Sequence, residues 1–417
     1  MQQTKRGIAP GAPQARRGAS TFLFTHELNH TLLEYVRSYG KMTRILRTHR
    51  YNVNTTRSKR SSRSMNSTRR GLLLINLGTP KSPSESDVRS FLQEFLSDPY
   101  VLDIPFVVRQ LILHFAILPF RPRIAALAYQ KIWTARGSPL LFHTSDLTAK
   151  VARLLAPEFE VQFAMRYGKP FIPNVLTNLL RLNLERIIVI PLYPQYASST
   201  TESTLSIIKN VVTRSKSSIP VYTVSPFHSN PDFISCFVSR GKHAIRNFTP
   251  DHVLFSFHGL PESHIRKIQP TQGACLSNNF SCCDAISQSN ANCYRAQCVH
   301  TARTIAKELA LNQTDYTIAF QSRLGPVPWI KPYTSEVIPQ LAKRGKKKLL
   351  IFSPSFVADC VETLEEINIR GKESFLAAGG KEFRLVPSLN SEDDWGKALA
   401  KMAGQAACPS EVQKLLI

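Results

Sequence analysis

In His252-Val-Leu-Phe-Ser-Phe-His-Gly-Leu-Pro261 an apolar run of strand length ends on an imidazole and a tight turn. A second such run ends at Ser353-Pro-Ser-Phe356 and opens into Asp359-Cys-Val-Glu-Thr-Leu-Glu-Glu366. Continuous rather than alternating apolar character marks strands buried on both faces, as in parallel sheets. Ligands of such sheets bind beyond the C-terminal ends of the strands. His258 and the acidic group therefore stand where chemistry is expected. A neutral imidazole facing carboxylates can accept protons and hold a borderline divalent metal.

Working outward, similar runs recur at 71–77, 159–165, 186–192, 221–224, 316–320 and 383–386, with helix-compatible segments such as 84–96, 144–155, 174–182 and 201–215 between them. Strands alternating with helices predict an α/β fold with parallel sheets covered on both faces. Eight strands divide into four and four, with the break near 225–231. The expected architecture is two similar lobes with a cleft between them. The N-terminal lobe is 70–224 plus a helical 391–417. The C-terminal lobe is 225–390 and carries a Cys-rich insertion at 270–298.

The chain has 417 residues, 43% hydrophobic and 20% charged, as in ordinary globular proteins. Its net charge is +24, but residues 1–70 hold 15 Lys and Arg against only Glu27 and Glu34. The excess is thus concentrated in an arm, and the globular part shows no nucleic-acid motif, so no nucleic-acid partner is expected. Residues 1–69 are basic and lack sustained periodicity, as expected of a disordered extension. Three readings stand for it: an organelle transit peptide, a disordered basic arm, or sequence upstream of the true start, with Met65 just before the first strand. The corresponding expectations are a cytoplasmic protein, peripheral at the inner membrane, or an organelle-targeted one. The longest apolar stretch, 104–120, is broken by Arg109, His114 and two prolines and is too interrupted to span a bilayer. A core helix is its first reading; an apolar lip at a pocket mouth or membrane surface is the second.

Several further motifs punctuate the strand ends: Leu74-Ile-Asn-Leu-Gly-Thr-Pro80, Gly137-Ser-Pro-Leu140, Pro191-Leu-Tyr-Pro-Gln-Tyr196, Phe320-Gln-Ser-Arg-Leu-Gly325 and Pro328-Trp329. Together with the two stretches above, these resemble the ferrochelatase family in its bacterial, proteobacterial form. They run in family order from about residue 71 to 390. Each is short, but their order makes the set specific. The resemblance implies two Rossmann-like, chelatase-type lobes with a porphyrin in the cleft. It also implies insertion of Fe²⁺ into protoporphyrin IX with release of two protons, the last step of haem biosynthesis, with no cofactor required. By motif position, His258 matches the family's metal-binding histidine and Glu362 its partner glutamate. Other readings stay open: a chelatase for coproporphyrin or another tetrapyrrole, or a protein that binds porphyrin or metal without turnover. A nucleotide-binding enzyme is disfavoured, because no G-x-G-x-x-G follows the first strand.

The chemistry fits those residue types. A porphyrin must lose two N–H protons before a metal enters its plane, and an imidazole accepts protons near neutrality. If 358–367 is α-helical, Asp359, Glu362 and Glu366 fall at i, i+3 and i+7 on one face. That face reads as a carboxylate route for Fe²⁺ or protons, or as a solvated face near a helix N-terminus. Arg166 suits a bidentate grip on a propionate. Tyr129, Ser138, Tyr167, Gln321, Ser322 and Arg323 are further polar candidates. Trp329 can pack on the ring, and Leu77 can press on its face.

Five cysteines, Cys275, Cys282, Cys283, Cys293 and Cys298, fall within the insertion. Such density argues for metal rather than disulfides. An all-thiolate site suits zinc or iron–sulfur, and free thiols in a loop are the competing reading. The family resemblance implies a [2Fe–2S] cluster on four of the five, with Cys275, Cys282, Cys283 and Cys293 the first choice and Cys298 the alternative. The animal type's pattern is not followed: Ser198 stands at its internal thiol position, and Cys408 alone lies near the C-terminus. Cys236 and Cys360 read as buried packing residues.

Overall fold

The computed structural model describes residues 69–268, 276, 280–325, 327–406 and 412–414. The basic extension up to residue 68, Cys275 and Cys408 lie outside them. Two parallel sheets carry the fold. In the first, β1 (Arg70–Gly78) lies between β2 (Phe159–Tyr167) and β3 (Ile187–Pro191), with β4 (Val221–Val224) outside β3. In the second, β5 (His252–His258) lies between β6 (Tyr316–Gln321) and β7 (Lys348–Phe352), with β8 (Glu382–Leu385) beyond. Leu72 to Ile75 on β1, and Leu254, Phe255 and Phe257 on β5, are fully buried. That burial is why these strands read as unbroken apolar runs.

Both sheets share one order: the second strand, the first, the third, then the fourth. Chain direction across the sheet reverses beside the first strand, which makes β1/β3 and β5/β7 the switch points where such sheets open a crevice. His258 ends β5, and the loop after β7 brings Ser355 beside it. Leu77 and Thr79 stand at the matching place on β1.

One apolar cluster runs across both sheets, through Leu72, Leu74, Ile188 and Ile190 on one side and Phe255, Phe257 and Phe352 on the other. Trp395, in the helix Asp393–Gln405, packs into it against Phe227 and Phe233, with ring centroids 5.8 and 6.0 Å away.

Three expectations are corrected. The C-terminal stretch is not helical throughout: after Gln405 the chain returns as β9 (Val412–Lys414), antiparallel to β4. Three residues are too few to show a strand period in sequence. The stretch 104–120 is not a core helix. It forms the helix Phe106–Leu111 and a π-helical turn Ile112–Ile117, and leaves Phe106, Phe115 and Phe120 about two-thirds exposed at 66%, 68% and 67%. The following helix, Arg121–Ile132, adds exposed Ile124 and Leu127. Among the described residues no single helix is long and apolar enough to cross a membrane; this bent pair, at 67°, meets that test only jointly. Finally, the acidic segment is not an α-helix from 358. A π-helix spans Glu362–Gly371, and Asp359 lies before it.

Candidate active site

His258 is half-buried and its main chain is tied at both groups. Its N–H donates to Ser355 Oγ at 3.4 Å, and its carbonyl accepts from the Tyr294 hydroxyl at 2.7 Å. The ring is oriented as well. Nδ1 lies 2.5 Å from the Gly259 carbonyl oxygen. A carbonyl only accepts, so Nδ1 carries the hydrogen and Nε2 keeps its lone pair. Trp329 and Phe356 flank the imidazole at centroid distances of 6.4 and 6.2 Å.

Gly259 makes this turn feasible. A Cβ there would stand 2.8 Å from the Gln321 carbonyl oxygen and 3.2 Å from the Trp329 ring. Its N–H donates to that same carbonyl at 2.7 Å.

Gln321 joins the histidine strand to the acidic segment. It pairs with His258 in the β5–β6 register, its Oε1 accepts from Ser256 Oγ at 2.7 Å, and its Nε2 donates to the Glu362 carbonyl at 2.9 Å. One side chain thus fixes the end of β5 and the first residue of the π-helix. Around Glu362, burial chiefly, and its negative charge next, push the Tyr129 phenol and the Cys360 thiol well up. Both stay neutral.

The other two acids are placed differently from expectation. Asp359 is buried and fully engaged: it accepts from Thr363 Oγ1 at 3.0 Å, Asn390 Nδ2 at 2.8 Å and Ser388 N at 3.3 Å. Those bonds make it a brace for the loop after β7. Glu366 is half-buried and accepts from the Ser322 N–H at 2.9 Å and from its hydroxyl. Four residues make nearly one turn of an i→i+5 helix, so Glu366 and Glu362 remain close to one face without Asp359. Glu365, which sequence reasoning passed over, is buried between Lys131 at 3.2 Å and Arg370 at 2.8 Å.

Among the ligand-holding candidates, Tyr129 and Ser138 come together. Thr79 Oγ1 donates to Ser138 Oγ at 2.9 Å, and Thr79 also bonds the Tyr129 phenol. Leu77 is half-buried at the end of β1. Trp329 is buried, with Nε1 donating to the Leu324 carbonyl at 3.0 Å. Arg323 lies over the Tyr333 ring at 4.8 Å.

Arg166 and Tyr167 stand in one network with Asp98 and Ser203. The Arg166 guanidinium, expected to meet a ligand carboxylate, meets buried Asp98 instead, and its Nε donates to Ser203 Oγ at 2.6 Å. The Tyr167 hydroxyl and Ser203 Oγ donate to the same carboxylate at 2.8 and 2.6 Å. Asp98 was missed because a partner 68 residues away leaves no local pattern.

In the cysteine segment, Cys282 Sγ lies 3.6 Å from Cys283 Sγ. Cys283, Cys293 and Cys298 are buried, and burial is the main cause that holds their thiols up. Among the described residues no group of three or more His, Cys, Asp or Glu is arranged to hold a metal ion. Cys236 and Cys360 are buried, as read from the sequence.

The ferrochelatase family profile matches residues 69–407. A ferrochelatase of Coxiella burnetii (strain CbuK_Q154) is 46% identical over 339 residues, 81% of this chain and 94% of that protein. One of Pseudomonas fluorescens (strain Pf0-1) is 43% identical over 336 residues, 80% and 97% respectively. Among solved structures, SirB from Bacillus subtilis with Fe³⁺ aligns over 82% of this chain and 97% of its own at 13% identity, with a TM-score of 0.48.

Proposed function

Because the chain belongs to the ferrochelatase family, and is therefore a metal-inserting lyase, we propose that it places Fe²⁺ in protoporphyrin IX, with His258 Nε2 as the group that meets the ring. The observation that carries this is the fixed tautomer: Nδ1 is committed to the Gly259 carbonyl, which leaves one basic nitrogen at a strand end beside a switch point. That nitrogen takes a pyrrole proton, binds the incoming ion, or does both in turn. Glu362, whose charge acts on the neutral Tyr129 phenol and Cys360 thiol, supplies the carboxylate partner, and Glu366 extends the acidic face. Asp359 acts through the loop it braces. The anaerobic test is direct: Fe²⁺ and protoporphyrin IX with the protein yield the haem spectrum. Porphyrin bound with no haem formed would sink the reading, and faster turnover of coproporphyrin would reassign the substrate.

The exposed row of Phe106, Phe115, Phe120, Ile124 and Leu127 supports peripheral contact with a lipid surface. The helix Arg121–Ile132 that carries part of the row packs its opposite face, through Tyr129 and Ile132, against Val361 and Leu364 of the acidic segment. An apolar porphyrin leaving a bilayer would meet the site without crossing water. Wild-type protein is expected to float with anionic vesicles and Phe115→Glu to remain in the aqueous fraction; equal flotation of the two rejects this contact.

For the cysteine segment we favour a [2Fe–2S] site on Cys282, Cys283 and Cys293 with Cys275 as fourth ligand. Soft thiolates in close sequence suit the donor chemistry, and the adjacent Cys282–Cys283 sulfurs support it. Cys298 is set apart by its place against the Tyr294 hydroxyl. When bound, such a cluster supplies one-electron chemistry, which metal insertion does not use. Freshly purified anaerobic protein is expected to absorb in the visible range and Cys282→Ser to lose that absorption. A colourless wild type assigns the segment to free thiols.

A further inference from the structure

Most of the groups that fix His258 come from neighbouring strand ends. One does not. Tyr294 is the first residue of the helix Tyr294–Glu308, directly after Cys293, and it is 5% exposed. Its hydroxyl reaches out of the cysteine segment to donate to the His258 carbonyl at 2.7 Å, lies 3.2 Å from Ser355 Oγ, and faces the Cys298 thiol. Ser355 Oγ in turn accepts the His258 N–H. A ring of three groups therefore clamps the peptide units on both sides of His258. The phenol has one hydrogen and gives it to the His258 carbonyl.

We propose that Tyr294 is a positioning residue for His258, setting the direction of the imidazole by holding the carbonyl of the same residue. Gly259, whose carbonyl holds Nδ1, follows at once. The His258 carbonyl sits between the ring and that acceptor, so the hold on it fixes ψ of His258 and φ of Gly259, the dihedrals that set one against the other. Misplacement of the ring costs on the order of 100-fold in rate when a catalytic atom must meet a fixed ligand. The inference rests on the reading of His258 as the insertion base, so its test separates the two.

Full-length protein labelled with ¹⁵N-histidine is studied by NMR and by anaerobic Zn²⁺ insertion into protoporphyrin. The His258 ring signals are assigned by their absence from His258→Ala. In Tyr294→Phe these signals are expected to shift, kcat to fall roughly 10- to 100-fold, and the porphyrin KM to stay at the wild-type value. Melting is expected to match that of Tyr316→Phe, a tyrosine packed on Phe255 away from the clamp. Unmoved His258 signals in Tyr294→Phe overturn the inference, as does a loss of activity that appears in KM alone. Shifted signals together with full insertion by His258→Ala would uphold the positioning and overturn the role of the base. If Tyr294→Phe does not fold, Ser355→Ala loosens the same clamp and is read by the same signals and the same criteria.

Discussion

His258→Ala is expected to lower metal insertion by about 10²–10⁴-fold, the range for loss of a positioned proton acceptor, while porphyrin still binds. Nδ1 is satisfied by a backbone carbonyl, so Nε2 is the only part of the ring with a free lone pair. Alanine removes it without disturbing the strand, because Ser355 and Tyr294 hold only the main chain of this residue. Quenching of porphyrin fluorescence measures binding, and anaerobic Fe²⁺ or Zn²⁺ uptake measures turnover. Normal turnover in the variant would remove His258 from the chemistry; lost binding would make it a ligand-holding group only.

The second large effect is on stability. Arg166→Met is expected to destabilise the protein by about 3–5 kcal/mol, the penalty for leaving a buried charge without its counter-ion. Asp98 is 3% exposed and Arg166 10% at their side chains, so water cannot replace the guanidinium. The three remaining donors, from Tyr100 N, Tyr167 and Ser203, bond the carboxylate but do not neutralise it. Chemical denaturation measures the loss, and KM for porphyrin in the folded fraction is expected to hold. A raised KM with an unchanged unfolding midpoint would return Arg166 to the ligand.

What could be read from the sequence follows from the range over which each interaction acts. The inner strands β1, β3, β5 and β7 were legible because burial on both faces makes them apolar almost without interruption, as at Leu72–Ile75. The position of His258 was legible because a strand that stops on a polar residue and a glycine turn stops at a sheet edge. Asp98 and Tyr294 were not: each acts on a residue 68 or 36 positions away, and neither leaves a periodic trace. The apolar stretch 104–120 misled because composition reports a preference for burial and not its fulfilment; Phe115 is apolar and exposed. The acidic segment misled for a different reason. An i→i+5 winding and an i→i+4 winding use the same residue types, so the choice between them is made by packing, here by Ser322 gripping Glu366 and Gln321 gripping the Glu362 carbonyl.

That winding has an evolutionary corollary. A π-turn is an α-turn with one residue too many. Loss of a single codon between Glu362 and Glu366 would let the segment relax to ordinary α-helix, with both flanking elements still in place. Within the segment the shorter path would re-aim the side chains, and Glu366 would leave the Ser322 N–H and hydroxyl. A lineage could in this way keep a sound fold and lose the grip of Ser322 on Glu366 in one step.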